Sequence, residues 1–275
     1  MTGASANDET LLDRLVRALG GVIGVRAIVL GGSRARGEAT AASDYDIGLY
    51  YEPAAQIDVG ALGKAIATLP GPTTSTVTAI GEWGPWINGG AWLTVERTRV
   101  DLLYRDMAKV RGVIATCHAG RIERAYQPGH PHGFISSIWM GEVALCRVLW
   151  DPDKVMTPLK RQCDPYPDAL GEALIRTFFW EARFAVENAE HGSGRNDVNY
   201  VAGCIFRTVA CLCQTLFALN RVYLLNEKGA VRGVEKLTRH PPDFAARVAQ
   251  IHCFGAAGLP ALRGLIGDVE ALLKA

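Results

Sequence analysis

The spacing of apolar residues changes character near Asp106, and that change constrains the fold more than any other feature of the chain. Before it, the apolar segments are short. Val25–Leu30 is a β-branched run with the texture of a buried strand. Asp44–Tyr51 alternates Asp46, Gly48 and Tyr50 with Ile47, Leu49 and Tyr51, which predicts a strand with one wet or functional face. Ala91–Glu96 and Arg99–Tyr104 read as two more strands, joined by a tight turn at Arg97-Thr98 that lacks the usual Asn-Gly signal. Thr73–Ile80 is threonine-rich and β-prone. Two helices interleave. Glu9–Leu19 spaces Leu11, Leu12, Leu15, Val16 and Leu19 on one face and stops at Gly20-Gly21, and Val59–Leu69 stops at Pro70-Gly71-Pro72.

After Asp106 the strand signals vanish and helical spacing takes over. Ala169–Glu190 carries a single apolar stripe, and Asn199–Leu225 is apolar nearly all round, which predicts a central helix. Further helical patterns cover Asp243–His252 and Pro260–Leu273. The expected class is α+β. A mixed-sheet domain occupies residues 1–128, and an all-helical bundle occupies 129–275, with Pro128–Gly133 as the boundary loop.

Composition narrows the function classes. With 49% hydrophobic and 21% charged residues, the chain can fill a core without disulfide or metal staples. Its formal net charge of +1 argues against gripping long nucleic acid by charge alone and leaves small charged substrates open. Seven cysteines, an odd number with no C-x-x-C pair, read as reduced buried thiols. Met1–Thr10 is polar and acidic, unlike a signal peptide. Val201–Leu225 is interrupted by Arg207, Gln214, Asn220 and Arg221, so it reads as a buried helix and not as a membrane span. A soluble, cytoplasmic protein with no membrane partner is expected.

One segment carries chemistry. Leu30-Gly31-Gly32-Ser33-Arg34-Ala35-Arg36-Gly37 ends a strand in two glycines and a serine. Glycines let backbone N–H groups approach a phosphate closely, the Ser33 hydroxyl can donate to a phosphate oxygen, and Arg34 and Arg36 add positive charge that serves either a phosphate or the surface. After a connection of about ten residues come Asp44 and Asp46, one strand period apart and hence on one face. Paired carboxylates beside a phosphate cradle suit Mg2+, which prefers a few carboxylates plus substrate phosphates to a closed protein cage.

This pattern resembles the signature of the DNA polymerase β-type nucleotidyltransferase superfamily, and Gly32, Ser33, Asp44 and Asp46 match it position by position. The family also uses a third carboxylate on a later strand, for which Asp101 in Arg99-Val100-Asp101-Leu102-Leu103 fits. The resemblance implies that Asp44 and Asp46 bind magnesium. It implies that Asp101 is a third ligand or the base that deprotonates the attacking hydroxyl, and that Ser33 holds the β- and γ-phosphates of ATP or another nucleoside triphosphate. The second half is similar to the helical domains of antibiotic-modifying nucleotidyltransferases, and Leu216–Lys228 resembles helical domains of uncharacterised bacterial relatives. The implied reaction is transfer of AMP to a hydroxyl of a small molecule such as an antibiotic. AMP transfer to a protein or tRNA, and a non-catalytic nucleotide sensor, are the alternatives.

Other residues carry weaker signals. Lys228, at the expected end of the second long helix, either offsets the helix dipole or reaches a triphosphate. His130 and His132 flank a proline without zinc-ligand spacing and read as structural or solvated. Trp83, Trp86 and Trp92 read first as core, with a stacking platform as the other role. Glu181 and Asp197 read as solvated carboxylates or as partners for a cationic substrate.

Overall fold

The computed structural model describes residues 6–70 and 76–275, with backbone only for 6–10. Contacts divide the chain into two compact units. Residues 1–114 and 139–165 form one, and residues 115–138 and 166–275 form the other. The chain therefore passes between units more than once, and the boundary expected at 128/129 falls inside a hairpin of the second unit.

The first unit begins with α1 (Ala6–Leu19), β1 (Ala27–Leu30) and α2 (Gly32–Ala35), followed by β2 (Tyr45–Tyr51), α3 (Val59–Ile66) and α4 (Gly84–Ile87). Next come β3 (Gly90–Val95), β4 (Thr98–Asp106) and α5 (Met107–His118). Four strands expected from the sequence are all present. Residues 76–80 form no strand, and the rest of the threonine-rich segment, 73–75, lies outside the described residues. The five-stranded sheet has the order β3-β4-β2-β1-β7, where β7 is Arg147–Trp150. β2 and β4 run parallel, and every other pair is antiparallel. The strand β7 is a correction to the all-helical reading of the second half. Its four residues are partly exposed at a sheet edge and show no alternation.

One sheet face makes the core. Leu30, Ile47, Leu49, Val100, Leu102 and Leu93 pack with Leu11, Leu12, Leu15 and Leu19 of α1 and Leu62 and Ile66 of α3. Full burial of one such leucine contributes about 1.5–3 kcal/mol. The opposite face keeps Asp46, Gly48 and Tyr50 on β2 and Asp101, Leu103 and Arg105 on β4. The β3–β4 turn is Glu96-Arg97, one residue earlier than expected, because Val95 pairs with Thr98. Both turn residues have positive φ (48° and 72°), as a two-residue primed turn demands. Neither is Gly or Asn, so the sequence carried no turn signal. Arg14 of α1 grips Glu96 through two hydrogen bonds of 2.9 and 3.0 Å.

The second unit contains β5 (Arg124–Gln127) and β6 (His130–Ile135), an antiparallel hairpin whose strands were hidden by Gly129, Pro131 and Gly133. Between the hairpin and β7 lies α6 (Ser137–Leu145), and α7 (Met156–Cys163) follows β7. The second unit continues with α8 (Asp168–Ser193), α9 (Val198–Leu219), α10 (Ala230–Val234), α11 (Phe244–Phe254) and α12 (Leu259–Lys274). Among the described residues α9 is the one helix long and apolar enough to cross a membrane. Here it is the central helix, with Thr208, Cys211, Leu212 and Thr215 fully buried. It stops at Leu219 and not at Leu225. Asn220 Nδ2 donates to the Leu216 and Arg239 carbonyl oxygens at 2.8 and 2.9 Å, and Arg221 takes a left-handed conformation.

Candidate active site

The site grows from the end of β1. The Gly31 N–H donates to the Asp46 carbonyl oxygen at 2.7 Å, tying the glycine turn to β2. Gly32 has φ +60°, and a Cβ there would lie 1.7 Å from Asp46 Oδ2. Glycine is required twice over, for the left-handed backbone and for the space the carboxylate fills. The single turn of α2 then presents Ser33, half-buried.

Parallel pairing sets Asp46 directly beside Asp101, so both side chains leave the same sheet face from strands about 4.8 Å apart. Asp44 sits just ahead of β2, with its side chain 29% exposed. The Asp46 pKa is raised to about 6, first by burial and then by the charges of Asp101, Asp44 and Glu142, against the opposing pull of Arg36. Asp101 is also raised, first by burial and then by Asp44, while Arg99 pulls it down. The acids thus repel one another across a partly desolvated face, as carboxylates gathered for a cation do.

Among the described residues, no three His, Cys, Asp or Glu side chains form a ready-made metal cage. The donor set nevertheless fits a hard cation that takes its remaining oxygens from substrate. Asp44 Oδ1 is buried and has no hydrogen-bond partner. Arg99 Nε lies 2.6 Å from it, within ion-pair distance but misaligned for a hydrogen bond, so this oxygen has a charge partner and no hydrogen bond.

The cationic candidates divide. The Arg34 guanidinium bonds the Ser43 carbonyl oxygen at 3.2 and 2.8 Å and lies 3.8 Å over the Tyr45 ring. It braces the connection that delivers Asp44. Arg36 pairs with Glu38 at 3.0 Å, and its charge is felt by Asp46. Lys228 is exposed in the loop before α10 in the second unit, well past the end of α9. In that unit His130 and His132 bind Glu227, at 3.2 Å through Nδ1 and 2.9 Å through the backbone N–H, and Glu181 is held by Arg124 and Arg207. Asp197 caps α9, accepting from the Tyr200 N–H at 3.1 Å. His130, His132, Glu181 and Asp197 thus have structural partners.

Two features of the acid-bearing face were not read from the sequence. Arg105 is 3% exposed and makes a two-pronged ion pair with Glu142 of α6, at 2.7 and 2.8 Å. Alternation along β4 could have placed Arg105 on the face of Asp101, but Glu142 comes from a distant helix with no motif to mark it. Trp92 of β3 pairs with Asp101 and is 63% exposed. A turn placed one residue late would have set Trp92 opposite Leu103 and hidden that relation.

Residues 9–85 match a nucleotidyltransferase domain family. A similar solved structure is a nucleotidyltransferase-like protein from Exiguobacterium sibiricum 255-15, 10% identical, with a TM-score of 0.42 over 98% of this chain and 75% of that one. No curated protein sequence matches the chain.

Proposed function

We propose that residues 9–85, which match a nucleotidyltransferase domain family, act as a domain of the DNA polymerase β type, and that the chain transfers AMP from ATP to a hydroxyl of a small-molecule acceptor. Asp44, Asp46 and Asp101 would hold magnesium, which when bound offsets charge on the triphosphate. Gly32 and Ser33 cradle the β- and γ-phosphates, with the Ser33 hydroxyl donating to a phosphate oxygen. Asp101 accepts the proton of the acceptor hydroxyl, a role that its raised pKa suits. A bond forms between that oxygen and the α-phosphorus, the bond from the α-phosphorus to the bridging oxygen breaks, and pyrophosphate leaves with the bridging oxygen.

The observation that carries this reading is the side-by-side register of Asp46 and Asp101 against a glycine that only a missing Cβ permits. The net charge of +1 supports a compact acceptor, such as an aminoglycoside or lincosamide antibiotic, over a polyanion. Seven free cysteines support a reducing cytoplasm as the working compartment. The test is a pyrophosphate-release screen over four nucleoside triphosphates and a panel of hydroxylated acceptors. Release that depends on ATP and acceptor, and is lost in Asp44→Ala, is expected. Nucleotide binding without release would mark a sensor. Label from ATP appearing on protein or tRNA in a lysate would move the acceptor to those classes.

A further inference from the structure

Resting on the nucleotidyl-transfer reading, we propose that the open face of Trp92, braced by Trp83, is the platform on which the acceptor lies, its indole taking the C–H face of a hydroxylated ring. Asp46, Asp101 and Trp92 stand in one row across β2, β4 and β3, because each is the direct pairing partner of the next. The glycine turn that would hold the β- and γ-phosphates follows β1, on the other side of β2. The row therefore runs from phosphate cradle to acids to indole. Displacement at the α-phosphorus is in line, so the attacking hydroxyl must come from the side opposite the departing phosphate. That side is β3. The ribose and base branch off this axis.

Trp92 lies outside the core. Its side chain points away from the core that Ala91 and Leu93 help fill, and 63% of the residue is exposed. It is nonetheless held in place. Trp83 stacks on it with ring centroids 4.3 Å apart and planes 20° from parallel. Gly90 makes room for that stack, since a Cβ there would lie 3.2 Å from Trp83 Cζ3 and 1.7 Å from the Leu102 carbonyl oxygen. One indole face is thus covered by Trp83, and the residue that carries the other is the direct pairing partner of Asp101. A rigid π-face attracts the C–H face of a saturated ring.

The test uses the full chain, with kanamycin as an amino-sugar probe, methyl α-D-glucopyranoside as its neutral counterpart, and ATP with magnesium as the nucleotide probe. Binding is read by tryptophan fluorescence and calorimetry in wild type, Trp92→Phe and Trp92→Ala. Trp92 is outside the core, so unchanged circular dichroism is expected for both variants. Kanamycin should bind wild type, lose at least tenfold in affinity in Trp92→Ala, and lose less than threefold in Trp92→Phe. ATP affinity should be the same in all three. The neutral sugar should also bind wild type and lose affinity in Trp92→Ala. Equal kanamycin binding in Trp92→Ala, or none by wild type, would overturn the platform. ATP binding that weakens in Trp92→Ala would assign the indole to the nucleobase instead. Pyrophosphate release from wild type is measured in parallel: its absence fails the transfer reading and leaves the kanamycin outcome to stand or fall separately.

Discussion

Replacing Asp46 by asparagine should make the protein more stable while removing its activity. The Asp46 pKa is raised from 3.8 to about 6, first by burial and then by the charges of Asp101, Asp44 and Glu142. A rise of about 2 units corresponds to roughly 3 kcal/mol at 1.36 kcal/mol per unit. Below pH 3.8 the carboxyl is protonated in folded and unfolded chains alike, and nothing is lost. Between pH 3.8 and about 6 the unfolded chain ionises while the folded one resists, so stability falls as pH rises. Above pH 6 the whole penalty is present. Asp46→Asn removes the ionisation but still buries an amide, so a net gain of about 1–3 kcal/mol is expected at pH 8. At about 2–4 °C per kcal/mol, that is a rise of roughly 2–12 °C in the unfolding midpoint. Thermal unfolding followed by circular dichroism at pH 8 and at pH 4 reads it. The reasoning predicts a gain at pH 8 that disappears at pH 4. A variant that is less stable than wild type at pH 8, or equally shifted at both pH values, refutes it. Magnesium should raise the midpoint of wild type at pH 8 and leave the variant nearly unmoved, by mass action on the folded state.

Other expectations concern neighbouring residues. Gly32→Ala drives a methyl into Asp46 Oδ2 and adds about 1–2 kcal/mol of left-handed strain; pyrophosphate release should fall at least a hundredfold, while circular dichroism shows the sheet intact. Glu142→Ala leaves the 3%-exposed Arg105 guanidinium unpaired and should cost about 3–5 kcal/mol in urea unfolding, whereas Glu142→Gln, which keeps hydrogen bonds, should cost less. The acidic limb of kcat/KM for release should sit near pH 6, with activity rising as Asp46 ionises; a limb near pH 4 would mean that this carboxyl is not needed in its charged form. Arg34→Lys loses the forked contact with Ser43 and the stack on Tyr45, and should loosen residues 37–44 to amide exchange without abolishing nucleotide binding.

The sheet was legible because its strands are short, apolar on one face and separated by glycine or proline. Ile47 and Leu49 turn to the core while Asp46 turns away, as their alternation requires. The Gly32–Ser33 turn and the acids stood out because spacing within one local segment fixes their relation. What stayed hidden depends on register or on distant partners. The Glu96-Arg97 turn has the backbone of a glycine-rich turn without its residues, and its position decides which side chain faces Asp101. β7 is four residues at an edge, recognisable only by the strand it joins. Arg34 looked free to meet a phosphate, and nothing local announces that its fork closes on the Ser43 carbonyl. Asn220 ends α9 early through a bond to Arg239, nineteen residues away, which no helical pattern contains.

The central claim is that this chain transfers the α-phosphoryl end of a nucleoside triphosphate. ATP labelled at the α-phosphate in one reaction and at the γ-phosphate in another measures it directly, with the acceptor that emerges from the release screen. The α label should pass to that acceptor and the γ label to pyrophosphate, both only with a divalent cation and neither with Asp46→Asn. A γ label on the acceptor, or transfer that survives loss of the Asp46 carboxylate, would contradict the account.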